Sequence, residues 1–246
     1  MAEQTVVIGL GEVGRPLCDL IAQTGGEVLG VDAAPVDLPA PGTVAVMHIC
    51  FPFEIDDFVG EAARYVDRLR PELTVINSTV GVGTTRAVHE RTGGRIVHSP
   101  VRGKHARMVE ELTSYDKFIG PIDADAGVLA KQHFEWLGMT TRVLSSPEAS
   151  ELAKLTETTY FGVLLAWAQE VERYCEAVGV DYDEVVAIYE QIGYLPPVKF
   201  FPGVIGGHCV MPNIEILKTI ADTPLLEAVR WSNAQKTARA ASTATT

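Results

Sequence analysis

The segment "TVVIGLGEVGRPLCDLIAQTGGEVLGVD" (residues 5–32) constrains the fold more than any other stretch of the chain. Val6, Val7 and Ile8 make a short apolar run suited to a buried strand, and Leu17, Leu20 and Ile21 then recur at helical spacing. Between them Gly9, Gly11 and Gly14 fit G-x-G-x-x-G. Gly25 and Gly26 stop the helix, and "EVLGVD" forms a second strand ending on Asp32. Glycines in such a turn let the backbone approach a pyrophosphate at the positive end of a helix, and an acid about 20 residues on binds the adenosine ribose diol. The turn of Gly9, Leu10, Gly11, Glu12, Val13 and Gly14, together with Asp32, is therefore expected to hold a dinucleotide. No Arg or Lys follows closely in "DAAPVD", so a 2′-phosphate would meet an acid without a cation. NAD is favoured over NADP.

The alternation continues through "GTVAVMHICF", "LTVINS", "RIVHSP", "KFIG" and "TTRVL" as strands, separated by helical patterns such as "EIDDFVGEAARYVDRL" and "DAGVLAKQHFEWLG". Strands alternating with helices imply a parallel sheet covered on both faces. Residues 1–145 are accordingly expected to be α/β, a Rossmann-type doubly wound parallel sheet. Ligands in such sheets sit at the carboxyl ends of the strands, a rim that should hold Phe51, Pro52, Ser78, Thr79, Ser99 and Pro100. After Ser146 the pattern changes: Pro147 suits a first helical position, and Gly162 is the one glycine between Glu148 and Val178. A broad apolar stripe from Leu152 to Cys175 runs along that helix. Residues 146–238 are read as a smaller all-helical domain built on this long helix, and 239–246 as a disordered tail. The stripe is too long for one small domain to cover, so a homodimer is expected.

The net charge of −12 argues against non-specific binding to nucleic acid or anionic membranes. No apolar run approaches the length of a membrane span, and the chain opens directly on a strand-like segment. Cys18, Cys50, Cys175 and Cys209 show no paired spacing, against both a disulfide framework and a zinc site. A reducing, cytoplasmic setting is expected, with no metal.

Three places carry candidate chemistry. "PGVIGGHCVMPN" sets His208 and Cys209 behind Gly206 and Gly207 and between Pro202 and Pro212, a stiffened, glycine-hinged loop around one thiol. A buried cysteine in an ordinary turn is the bland alternative. Lys154 has Glu151 and Glu157 three residues to either side, so it reads either as a solvated lysine in ion pairs or as a general acid or base facing a substrate hydroxyl, with Thr158 one turn on. "RTGGRIVHSPVRGKHARMV" carries five arginines and lysines without an acid, and its Arg102, Lys104 and His105 fall beyond the rim, suited to a phosphate or carboxylate. His89 and His133 lie in helical patterns and read as ordinary surface or packed histidines.

"GLGEVGRPL", "NSTVGVGTT", "ELAKLTETTY", "VGVDYDEVV" and "FPGVIGGHC" occur in the order seen in UDP-glucose/GDP-mannose dehydrogenases, a resemblance covering about residues 4–235. Members of that family oxidise a nucleotide-sugar alcohol to a carboxylate with two NAD. The resemblance implies that Cys209 attacks an aldehyde intermediate, that Lys154 handles protons and charge, and that Thr79 lies beside cofactor and substrate. It also implies that the long helix forms a dimer core. Three positions depart from the family: Thr158 replaces the usual Asn, Asn213 the usual Asp, and Val101 the glutamate of "SPE". The stretch after Asp32 is short, and the chain ends where the family's nucleotide-sugar-binding domain would begin. The expectation is an NAD-dependent oxidoreductase acting on an alcohol of a small anionic or sugar-like substrate, with Gly206 and Gly207 near that substrate. Oxidation runs either through a Cys209 thiohemiacetal to an acid, or by one hydride with Cys209 a bystander. A non-catalytic NAD-binding or partner-regulating module is the alternative of a different class.

Overall fold

The computed structural model describes residues 4–33, 36–101, 108–193, 201–207 and 209–243. The chain divides into two compact units, Met1–Lys154 and Leu155–Thr246, and the division falls inside one long helix.

The first unit is built on a seven-stranded sheet in the order β2-β1-β3-β4-β5-β6-β7. Its strands are β1 (Gln4–Ile8), β2 (Val28–Val31), β3 (Val44–Ile49), β4 (Leu73–Ile76), β5 (Ile96–His98), β6 (Lys117–Pro121) and β7 (Thr141–Val143). Helices α1 (Gly14–Gln23), α2 (Phe58–Leu69), α3 (Thr84–Thr92), α4 (Met108–Ser114) and α5 (Ala124–Trp136) join them. Alternate residues of the strands feed two buried clusters. Val7, Leu17, Ile21, Val75, Val97 and Phe134 meet on one face of the sheet, and Val6, Ile8, Met47, Phe58, Leu69 and Val88 on the other. This is a three-layer helix–sheet–helix core. Because β1 lies between β2 and β3, the winding reverses there, the position at which such sheets bind ligands. Among the described residues no helix or strand separates β2 from β3. Arg68 instead donates to the Pro39 carbonyl at 3.1 Å, and the Gly42 N–H to that of Leu69 at 2.8 Å.

The sheet is parallel from β2 through β5, but β6 runs antiparallel to β5, pairing His98 with Gly120, which corrects the all-parallel expectation. Among the described residues the connection after β5 holds one helix, α4, which the periodicity did not reveal.

The long helix is α6 (Pro147–Val178), 32 residues, with Ser146 Oγ accepting from the Ala149 N–H at 3.2 Å and Pro147 at the first position, as its sequence signals require. Gly179, at φ 76°, ends it. Helix α7 (Tyr182–Val186), a 3-10 turn at Ala187–Gln191, α8 (Val210–Lys218) and α9 (Pro224–Thr243) complete the second unit. Ala166, Ile205, Val210, Ile214, Leu226 and Val229 form its main apolar cluster. The expected disordered tail begins within α9, which runs on to Thr243. Alanine-rich sequence and the ion pair of Arg239 with Glu176 on α6 sustain the helix there. No helix among the described residues is long and apolar enough to cross a membrane.

Candidate active site

The glycine turn after β1 is closed on its protein side and open on the other. Gly9 has φ +91°, and a Cβ on it would lie 2.7 Å from the Phe51 nitrogen; one on Gly14 would lie 1.8 Å from the Gly9 oxygen. These two glycines are demanded by the packing of turn, strand and helix. A Cβ on exposed Gly11 would meet nothing within 4 Å. The N-cap of α1, Val13, makes no side-chain cap bond of its own, and the helix N-terminus faces this turn. Exposed Glu12 flanks the opening, Leu10 packs over Gly30 of β2, and Asp32 is exposed at the end of β2. An open glycine turn, a helix N-terminus and a strand-end acid fit a dinucleotide pyrophosphate and its ribose.

Phe51 and exposed Pro52 follow β3, and half-buried Ser78 and Thr79 follow β4, so all four lie at the carboxyl rim. Ser78 Oγ donates to the Phe51 carbonyl at 2.6 Å and binds these two rim segments together. His98, buried at the end of β5, binds a third. A carbonyl can only accept, so the contact of 3.1 Å from His98 Nε2 to Ser78 O places the ring proton on Nε2, and Nδ1 accepts from Ser150 Oγ at 2.9 Å. Burial holds the His98 pKa down at about 3.

Ser150 belongs to the first turns of α6, which are locked onto the first unit at several points. Gly120 has no room for a methyl, since a Cβ would lie 2.5 Å from that of Ser150 and 2.7 Å from the Ser146 carbonyl oxygen. Arg86 donates to Glu148 at 2.5 Å and holds that carboxyl down at about 2. Glu151, fully buried, accepts from the Gly83 and Thr85 N–H groups at 2.7 and 2.8 Å and so caps α3. Glu151 is therefore not the solvated acid of the local reading. Burial raises its pKa against the pull of the Thr85 and Gly83 donors. Lys154, half-buried, follows one turn later on a helix whose position is set by these bonds.

In the second unit Cys209 is the N-cap of α8 and is exposed, whereas Cys18 and Cys50 are half-buried and Cys175 is buried. Burial pushes the Cys50 thiol up to about 12 and raises that of Cys18. Gly206 and Gly207 before Cys209 are exposed, and Gly207 has φ +77°. Helix α8 takes in Pro212, tolerable in a first turn whose N–H groups have no helical partner. Asn213 is buried, and its N–H donates to the Cys209 carbonyl at 3.3 Å. Thr158 is buried on α6. One turn further along, a Cβ on Gly162 would lie 2.6 Å from Val210 Cγ1, so α6 and the start of α8 touch there. Arg102, Lys104, His105 and His208 lie outside the described residues.

Residues 148–238 match the UDP-glucose/GDP-mannose dehydrogenase family, central domain. UDP-N-acetyl-D-mannosamine dehydrogenase of Methanocaldococcus jannaschii is 25% identical over 257 residues, covering 85% of this chain and 60% of the relative. The chain thus spans about three fifths of the curated relatives it matches. The structure of UDP-D-ManNAc dehydrogenase from Pyrococcus horikoshii superposes with a TM-score of 0.84 at 22% identity, over 97% of this chain and 70% of that one. Mycobacterium tuberculosis 3-hydroxyisobutyrate dehydrogenase gives a TM-score of 0.71 at 19% identity, over 98% and 94% of the two chains. Both likenesses establish the fold, a mostly parallel sheet with flanking helices followed by helices.

Beside these candidates lies a buried polar group that the sequence reading missed. Asn77 Nδ2 donates to His48 Nδ1 at 3.0 Å, so His48 carries its proton on Nε2 and donates to His133 Nε2 at 2.9 Å. Of the two readings, surface or packed, His133 is thus packed and paired, while His89 bonds the Gly94 carbonyl at its own helix end. Lys117, buried, donates to the Ser99 and Pro100 carbonyls at 2.8 and 3.2 Å and lies 5.0 Å from the Phe134 ring centroid. Burial pushes its pKa down to about 7. The only trace in the sequence is a lysine opening an apolar strand, which reads equally well as a strand-end charge.

Proposed function

We propose that the chain is an NAD-dependent dehydrogenase that oxidises an alcohol of a sugar-nucleotide-derived or other small anionic substrate to an acid, with Cys209 as nucleophile. The observation that carries this reading is the contrast among the thiols: Cys209 alone is exposed, at a helix N-terminus behind a glycine hinge. Gly9 to Gly14 and Asp32 hold the cofactor, whose chemistry is to accept hydride. Phe51, Pro52, Ser78 and Thr79 border it at the rim. Lys154 takes the hydroxyl proton as the first hydride leaves. Cys209 Sγ, as the thiolate, would then bond the aldehyde carbon while Lys154 returns the proton to its oxygen, giving a thiohemiacetal. Lys154 would take that hydroxyl proton again as the second hydride leaves to a second NAD, giving a thioester, and water would add its hydroxyl to the acyl carbon and its proton to Sγ, breaking the C–S bond. Thr158 and Asn213 offer a hydroxyl and an amide to the oxygens of these species. Arg102, Lys104 and His105 supply charge for an anionic group, and Lys154 or His208 a positive charge that favours the Cys209 thiolate.

Incubation with NAD and UDP-N-acetyl-D-mannosamine, the substrate class of the relatives, tests the proposal. Two NADH per acid are expected, and Cys209→Ser should stop acid formation while the first hydride transfer continues. A two-electron reading is favoured by Val101, Thr158 and Asn213, neutral where the family has an acid, an amide and an acid. It predicts one NADH per turnover and a serine variant of nearly full activity, with Lys154→Ala inactive. NAD binding without turnover of any alcohol would leave a regulatory module.

The same reading includes a homodimer in a reducing, cytoplasmic setting, the latter supported by four free thiols. Tyr160, Trp167 and Tyr174, each more than half exposed, stand at seven-residue intervals on α6, with Val178 beyond them. A stripe of that spacing suits a second helix. Sedimentation should give about twice the chain mass, and a clean monomer refutes it.

A further inference from the structure

The segment that precedes Cys209 is irregular, yet its backbone is held by two buried carboxamides from the helices beneath it. Asn233 on α9 accepts from the Ile205 N–H at 2.7 Å through Oδ1 and donates to the Ile205 carbonyl at 3.0 Å through Nδ2. Gln169 on α6 donates to the Gly203 carbonyl at 2.7 Å and accepts from Ser232 Oγ at 3.0 Å. Gln169 is fully buried and Asn233 nearly so, together with buried Ser232, and Ile205 and Ala166 belong to the unit's main apolar cluster. Carboxamides are costly in such a setting unless their bonds are met, and packing alone would be served by apolar side chains. Both bond backbone groups of the 203–205 segment, and the Asn233 amide, with an acceptor and a donor side by side, engages both the N–H and the C=O of Ile205 as a strand would.

From Ile205 only Gly206, Gly207 and His208 separate this clamp from Cys209. On the other side of the thiol, Val210 is seated against Gly162. The chain is therefore anchored four residues before Sγ and one residue after it, with the glycine hinge between. We propose that Asn233 and Gln169 are positioning residues for Cys209: they fix the backbone from which the hinge presents the thiol. The proposal rests on Cys209 being the reacting group, but the clamp is testable without turnover.

The test uses the full chain with NAD present, labelled with iodoacetamide for timed intervals below its unfolding temperature. Mass spectrometry reads each cysteine separately, and hydrogen exchange reads the amides of residues 203–207. In the wild type Cys209 should label fastest, and the Ile205 amide should be protected to the same degree as the interior of α8. Asn233→Ala should change Cys209 labelling at least five-fold and speed exchange of Ile205 to Gly207 at least ten-fold, while Cys175, buried on α6 of the same unit, stays within two-fold. Asn233→Asp keeps the acceptor for the Ile205 N–H but sets a carboxylate oxygen against the Ile205 carbonyl, and should act in the same direction. Cys175 rising in step with Cys209 would mean general loosening and overturn the proposal, as would Cys209 and loop exchange both within two-fold of wild type. If neither variant folds, loop-like exchange of the wild-type Ile205 amide overturns it by itself. Failure of the dehydrogenase reading would appear elsewhere, as full activity of Cys209→Ser, and leaves these exchange results untouched.

Discussion

Lowering the pH from 7.5 to 5 should remove about 2 kcal/mol of stability through His98 alone. The ring is fully buried, with its pKa held near 3 by that burial, against about 6.5 in an unfolded chain. Its Nε2–H is committed to Ser78 O and its Nδ1 accepts from Ser150, so a second proton reverses that bond and turns the Ser150 hydroxyl to its other partner, the His98 carbonyl at 3.3 Å. Because the folded pKa lies below the unfolded one, the unfolded chain takes up the proton first as the pH falls through 6.5. This contribution is therefore complete above pH 6.5 and declines by about 1.4 kcal/mol per unit down to about 3. At pH 5 the deficit is about 1.5 units, hence about 2 kcal/mol, or about 4–8 °C in Tm for a unit of this size. The His48–His133 pair, lowered by burial to well below 6.5 and to about 4, adds a loss of the same sign. Urea unfolding followed by circular dichroism at pH 7.5, 6.5, 5.5 and 5, on wild type and His98→Gln, isolates the His98 share. The glutamine amide reaches Ser78 O without titrating, so wild type should lose about 2 kcal/mol more than the variant across the window. Parallel profiles, or a wild type that gains stability on acidification, refute the reasoning.

Lys117 should act in the alkaline range: its folded pKa of about 7 lies below the unfolded 10.5, so the cost of its buried charge is fully present below 7 and relieved towards 10.5. Wild-type stability should rise across that interval by up to about 1.4 kcal/mol per unit, and Lys117→Met should flatten the rise in the same unfolding assay. Asp32→Asn should narrow the preference for NADH over NADPH in fluorescence titrations, whereas equal affinities in the wild type would mean the ribose acid is misassigned. Gly162→Ala should cost about 1–3 kcal/mol, because the new methyl meets a stiff, buried Val210 at 2.6 Å, and should displace the start of α8. Unchanged unfolding and unchanged Cys209 labelling would show that the contact relaxes freely.

What the sequence determined by itself is what depends on neighbours within a few turns of chain. Strand, glycine turn, helix and acid from Val6 to Asp32 are legible because each signal acts on its own segment. The same holds for the cap at Ser146, the proline after it and the stop at Gly179, which together bound α6. The glycine pair before Cys209 announces a special backbone, but nothing local says what holds it. That was decided by partners far apart in the chain: Asn233 on Ile205, Gln169 on Gly203, Glu151 on the start of α3, and His48 against His133. The direction of β6 was decided likewise, in its antiparallel pairing with β5. Two glycines that carry no local signal of their role, Gly120 in a strand and Gly162 in a helix, are contact points where α6 meets β6 and α8. Propensity and periodicity record the preferences of one segment at a time. A close approach or a buried bond is a property of two segments, and exists only once the sheet and helices have brought them together.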